Sequence, residues 1–203
     1  MDSAKIRLSP EEAALVVNGD LILTKNRIME KAMQLFAGLQ TRQQSWLSTH
    51  RMGFPDEVRN SEPKISRGEN YRGLPWIMLD YPRVYRKNDQ FAVRTFFWWG
   101  NFFSCTLQLS GIYKLQFGDR VVEAYDLFRE KKFYVCHSAD PWQHHFNEDN
   151  YLAADGLTSG QWKEVCAKND FLKIAGRIAL SDWDKSPDLL QKIFEELMQT
   201  VAV

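Results

Sequence analysis

Residues 96–104 read Phe96-Phe97-Trp98-Trp99-Gly100-Asn101-Phe102-Phe103-Ser104, and how this stretch turns decides the fold. The runs on either side, Phe91 to Trp99 and Phe102 to Ser110, are rich in aromatic and β-branched residues, the composition of β-strands. Gly-Asn between them suits a two-residue type II′ turn, with glycine at the first central position. That turn pairs Trp99 with Phe102, Trp98 with Phe103 and Phe97 with Ser104.

Because strand side chains alternate, this register assigns two faces. One carries Trp98, Phe96, Arg94 and Ala92 beside Phe103, Cys105, Leu107 and Leu109. The other carries Trp99, Phe97, Thr95, Val93 and Phe91 beside Phe102, Ser104, Thr106, Gln108 and Ser110. The first face is apolar enough to meet helices. The second mixes aromatic rings with hydroxyls and an amide, as the wall of a ligand cavity does. The expected ligand-binding residues are therefore Phe97, Trp99, Thr95, Phe102 and Thr106. Arg94 joins them as either a ligand contact or the partner of Asp80, since an unpaired buried charge is costly.

The periodicity of the remaining chain sets the surroundings of this hairpin. Ser9-Pro10-Glu11-Glu12 reads as a helix start, with a serine cap, an early proline and acids at the positive end. Asn18-Gly19 ends that helix, and Asp20 caps the next. Ile28, Ala32, Leu35, Phe36, Leu39 and Trp46 then recur at helical spacing from about Leu21 to Leu47. Residues 51–75, rich in Pro, Gly and charge, read as a surface connection with a short strand near Lys64–Ser66. Leu74 to Tyr85 and Phe133 to Cys136 are strand-like. Tyr113, Leu115 and Phe117 alternate as a strand would, with helix left open there. Asp119 caps a helix carrying Val121, Val122, Tyr125 and Phe128.

Thr158 caps a helix with Trp162 and Cys166. Phe171 to Ala179 is expected to be a short helix, and Ser186-Pro187-Asp188 to open the last one. The expected architecture is a single α+β domain spanning residues 1–203, with N-terminal helices in 1–50, an antiparallel sheet of four or five strands in 64–136, and C-terminal helices in 158–203.

Three histidines fall close together in His137-Ser-Ala-Asp140-Pro-Trp-Gln-His144-His145, with Glu148 nearby. Imidazole and carboxylate are ligands that zinc accepts, so His137, Asp140, His144, His145 and Glu148 form a candidate metal or acid–base site. The spacing matches no diagnostic motif. Cys105, Cys136 and Cys166 likewise match no zinc pattern, and their odd number argues against a disulfide framework.

Composition narrows the function classes. The chain of 203 residues is 44% hydrophobic and 26% charged, with Lys plus Arg and Asp plus Glu equal at 26 each, so no global field draws it to nucleic acid. No apolar run approaches the ~18 residues of a membrane span, and the N-terminus lacks an apolar signal core; a reducing, cytoplasmic compartment is expected. No dinucleotide, phosphate-loop or nucleophile-elbow motif indicates a cofactor or a reaction. The leading expectation is non-catalytic binding of a small apolar or aromatic molecule, or of a partner protein, at the mixed sheet face. A metal-dependent or acid–base enzyme at residues 137–155 is the alternative, and a homodimer formed through exposed aromatics a third reading.

Overall fold

The computed structural model describes residues 6–50 and 53–202. Seven strands form one antiparallel sheet in the order β1-β2-β3-β4-β7-β5-β6. They are β1 (Lys64–Tyr71), β2 (Leu74–Tyr85), β3 (Gln90–Trp98), β4 (Phe102–Ser110), β5 (Tyr134–Cys136), β6 (Tyr151–Ala153) and β7 (Phe171–Ala179). Helices are spread along the whole chain: α1 (Pro10–Val16), α2 (Gly19–Thr49), α3 (Asp56–Arg59), α4 (Ile112–Glu123), α5 (Tyr125–Glu130), α6 (Ser159–Lys168) and α7 (Ser186–Val201). The expected four- or five-stranded sheet with helices only at the two ends is thus corrected in both respects.

Two segments account for most of that correction. Phe171–Ala179, expected as a helix, is β7, and it inserts between β4 and β5. Its Leu172, Ile174 and Ile178 point to the helices while Lys173, Ala175 and Arg177 point away, a period of two that the helix-forming Leu, Lys and Ala obscure. Conversely, Tyr113, Leu115 and Phe117 belong to α4. Tyr113, Phe117 and Val121 are fully buried at helical spacing, whereas Leu115 is 84% exposed.

The central hairpin is also corrected, by one residue. Trp98 pairs with Phe102, Phe97 with Phe103 and Phe96 with Ser104, leaving Trp99, Gly100 and Asn101 as a three-residue loop. Asn101 N–H donates to Trp98 O at 3.0 Å. Gly100, with φ of 70°, takes the third position of that turn, where positive φ favours glycine. One extra loop residue shifts the pairing and exchanges the whole β4 set between faces.

On the resulting helix face, Phe97, Thr95, Val93 and Phe91 lie with Phe103, Cys105, Leu107 and Leu109, all buried. Helices α2, α4 and α7 cover them. Met29, Ala32, Phe36, Leu39, Gln43 and Leu47 form the buried stripe of α2. Phe97 and Phe103 meet at 5.2 Å between centroids, with Trp183 at 5.8 and 5.3 Å. Burial of each such ring is worth roughly 1.5–3 kcal/mol.

The opposite face carries Trp76, Met78 and Asp80 from β2, Ala92, Arg94, Phe96 and Trp98 from β3, and Phe102, Ser104, Thr106 and Gln108 from β4. Lys173 of β7 lies beside Gln108. Residues 137–150, the connection from β5 to β6, cross this face as an irregular strap.

Candidate functional site

Corrected register places the expected ligand residues on two sides of the sheet. Thr95 and Phe97 are 1% exposed in the helix-face core, and half-buried Trp99 packs against that same core. Arg94, Phe102 and Thr106 lie together on the strap face. The register therefore divides the mixed wall expected from the sequence: Ser104, Thr106 and Gln108 face the strap, Thr95 faces the helices, and the aromatics are split between the two sides.

Polar residues beneath the strap form a connected network. Arg94 Nε donates to Asp80 Oδ1 at 2.7 Å, and its Nη2 to Tyr85 Oη at 2.9 Å. Arg94 Nη1 is 3.4 Å from His144 Nε2. A guanidinium only donates, so Nε2 is the unprotonated acceptor and the imidazole proton sits on Nδ1. Burial, then the charges of Arg94 and Lys173, hold the His144 pKa well below 6.5. Burial raises the Tyr85 phenol to about 12.

Strap residues are fixed from below. Tyr71 Oη accepts from the backbone N–H groups of His144 and His145 at 2.7 and 3.2 Å. Lys173 Nζ donates to the carbonyls of Pro141 and Gln143. Burial lowers its pKa to about 8. Phe146 stacks on Tyr151 at 4.6 Å and meets Phe102 edge-on at 5.0 Å. The strap thereby closes the face that otherwise would be open.

The expected metal set does not converge. His137 Nε2 donates to Glu148 O at 2.7 Å. Asp140 accepts from Trp142 N and from the Gln143 amide at 2.9 and 2.8 Å, and these two contacts hold its pKa below the usual value. His144 faces Arg94, while buried His145 places Nδ1 3.6 Å from Asp149 Oδ1. Among the described residues, no group of three or more His, Cys, Asp or Glu is arranged to hold a metal.

Beside the strap lies a groove of about 900 Å³, bounded by Pro141, the β2–β3 turn, α4 and the C-terminal half of α6. Leu115, Val122, Ala167 and Phe171 give it apolar walls. Lys87, Lys114 and Lys163 bring cations from three separate elements, with Asp119 and Asp170 also on the lining. Lys114 Nζ donates to Asn169 O, and burial lowers its pKa. Lys87 and Lys163 have no ion pair among the described residues.

Local backbone builds one wall of this groove. Gly111 has φ of 55°, and a Cβ there would collide with Asp89 Oδ1 and Asn88 O. That close approach lets Asp89 Oδ1 accept from Ile112 N at 2.9 Å, capping α4 from another element. A second groove, of about 610 Å³, lies by α7 and β7. Its Arg177 is already spent over the Tyr134 and Phe146 rings, and Lys131 is 3.9 Å from Glu196.

Sequence reasoning missed the groove because its lysines are far apart in the chain and look like ordinary surface charge. Lys173 was missed as well: between Leu172 and Ile174 it falls on the opposite face of the strand, where a lysine normally reaches solvent, and the strap is what buries it. No protein-family model, curated protein or solved structure matches this chain.

Proposed function

We propose that this protein is a non-catalytic binder of a small molecule with an apolar or aromatic body and one negative charge, held in the groove beside the strap. The observation that carries this reading is the pairing of apolar walls with Lys87 and Lys163, two ammonium groups free of carboxylate partners among the described residues. A volume of about 900 Å³ lies within the range of roughly 300–1,000 Å³ usual for small-ligand sites. Lys87, Lys114 and Lys163 outnumber Asp119 and Asp170 by one charge, which matches a monoanion such as a carboxylate.

Octanoate is the probe that tests it. Calorimetric titration is expected to give saturable binding of octanoate, with octanol weaker by about tenfold and acetate silent. Lys87→Glu with Lys163→Glu is expected to abolish the preference for octanoate over octanol. Equal binding of the two by the wild type would remove the charged head from the reading; no binding of either would remove the site.

A second reading, acid–base catalysis under the strap, draws support from one feature: buried Lys173 has its pKa brought to about 8, close to the range a general base needs. Both of its ammonium hydrogen bonds go to strap carbonyls, and the ammonium also lies 5.4 Å from the Tyr151 ring centroid, so this reading also requires the strap to lift. Lys173→Met would stop such catalysis and leave octanoate binding in the groove intact.

A further inference from the structure

Helix α1 buries none of its residues, yet its capping box is complete: Ser9 Oγ accepts from Glu12 N, and Glu12 Oε2 accepts from Ser9 N. The segment it begins is unusually apolar for a surface. Ile6, Leu8, Leu15, Val16, Val17, Leu21, Ile22 and Leu23 are all between 48% and 82% exposed. The buried stripe of α2 starts only at Met29, and residues 19–24 ahead of it are exposed, the first tie to the sheet being Lys25 to Glu69 of β1 at 2.6 Å. Three consecutive apolar residues span more than half a helix circumference, and here that occurs twice, at 15–17 and 21–23. Helices apolar on most sides are normally enclosed by other helices rather than laid on one surface.

We propose that this arm is the interface of a homodimer, in which α1 and the start of α2 from two copies enclose one another. Area supports a second copy as occupant. A Val, Leu or Ile side chain offers roughly 60–120 Å² to burial, so the exposed fraction of these eight amounts to about 300–600 Å² per copy. Two copies bury about 600–1,200 Å² of side chain alone, reaching the lower bound of about 1,200 Å² for stable interfaces before backbone and polar atoms are added.

Charge supports the same occupant and sets its direction. The part of this surface from Leu15 to Leu23 has an acid, Glu11, on one side and a base, Arg27, on the other, and the two are equidistant in sequence from Gly19. Two copies related by a two-fold axis near Gly19 run antiparallel, so Glu11 of each faces Arg27 of the other. This pair of charges is self-complementary across a two-fold axis, as an isologous interface requires.

Sedimentation equilibrium of the full chain tests this. The wild type at about 50 µM is expected to be a dimer, and Val16→Glu with Ile22→Glu a monomer whose thermal melting of the sheet domain is retained. At low salt, Glu11→Lys alone and Arg27→Glu alone are each expected to weaken dimerisation by about tenfold, and an equimolar mixture of the two to restore it. A monomeric wild type would overturn the proposal, as would a dimer that survives Val16→Glu with Ile22→Glu. A monomer that binds phosphatidylcholine vesicles through this arm would overturn it in favour of a lipid surface, and failure of the mixture to recover would overturn the antiparallel pairing.

Discussion

Lys173 Nζ, on the interior strand β7 between β4 and β5, donates to the carbonyl oxygen of Gln143 at 2.7 Å, pinning the strap to the sheet. The same ammonium donates to Pro141 O at 2.8 Å and is 1% exposed. Burial brings its pKa from 10.5 to about 8. A lowered lysine pKa means the unfolded chain binds more protons above pH 8, so stability contributed by this group rises with pH and is lost as pH falls through 8. The full difference is about 3 kcal/mol, of which about 1 kcal/mol develops between pH 7 and pH 9. Urea unfolding of wild type and Lys173→Met over that interval should show the rise in wild type alone. Parallel profiles in the two proteins would mean that the ammonium is not held in a dry site.

At higher pH the cysteines act in the opposite sense. Burial raises Cys105 and Cys166 from 9.0 to about 12. Their contribution is complete below pH 9 and is lost as pH rises toward 12. Cys166→Ala should therefore flatten the alkaline limb above pH 9 while costing about 1 kcal/mol or more at pH 7 for the lost packing. The comparison of the two slopes is the measurement; an unchanged alkaline limb would show that the thiol does not stay neutral.

His144 governs the acid side. Its pKa lies well below 6.5, so the unfolded state takes up a proton as pH falls past 6.5 and the folded state does not. Stability should fall in that window, and His144→Gln, which keeps an acceptor for Arg94, should lose less. NMR titration of the His144 ring protons gives an independent check: they should remain in the neutral form at pH 5.5, and a midpoint near 6.5 would contradict the geometry at Arg94.

Asp80 and Arg94 form a buried pair, 6% and 8% exposed. Removing one member leaves the other charge without its partner, a loss typically of about 3–5 kcal/mol. Arg94→Met and Asp80→Leu are each expected to cost about that much. The double substitution should cost less than either alone, since the desolvated charges disappear together. Additive losses would show that the pair does not act as a unit.

Gly111 and Asp89 link the groove wall to helix capping. Gly111→Ala should be strongly destabilising, because positive φ and the collision with Asp89 and Asn88 act together. Asp89→Ala should cost about 1 kcal/mol, the usual worth of an N-cap, through the lost bond to Ile112 N. Thermal melts of both variants test the order: a smaller effect at Gly111 than at Asp89 would contradict it.

Particular residues show what could be read in advance. The caps at Ser9 and Thr158 depend on neighbours in sequence and form as expected. The long helix α2 forms too, but Asn18 rather than Asp20 caps it. Its buried stripe is Met29, Ala32, Phe36, Leu39, Gln43 and Leu47, with Ile28, Leu35 and Trp46 only partly buried beside it. The Asp80–Arg94 pair was reachable because an arginine inside an apolar strand demands a carboxylate. The hairpin faces were not, because Trp99-Gly100-Asn101 supports a loop of two or three residues and only packing chooses between them. Residues 171–179 have helix-forming composition but lie between two strands that are remote in sequence, and that environment overrides local preference. The groove depends on five separate segments, so no local pattern announces it.

The most direct test of the binding site is a backbone amide shift footprint with octanoate. Titration into isotope-labelled protein should move Ser110, Gly111, Leu115, Gly118 and Ala167, all on the groove lining. Amides of Phe36, Leu39 and Leu197, in the helix-face core, should stay in place. A footprint confined to the groove, and lost in Lys87→Glu with Lys163→Glu, is the predicted result. Saturating octanoate that shifts none of the groove amides, or shifts only residues elsewhere, would contradict it.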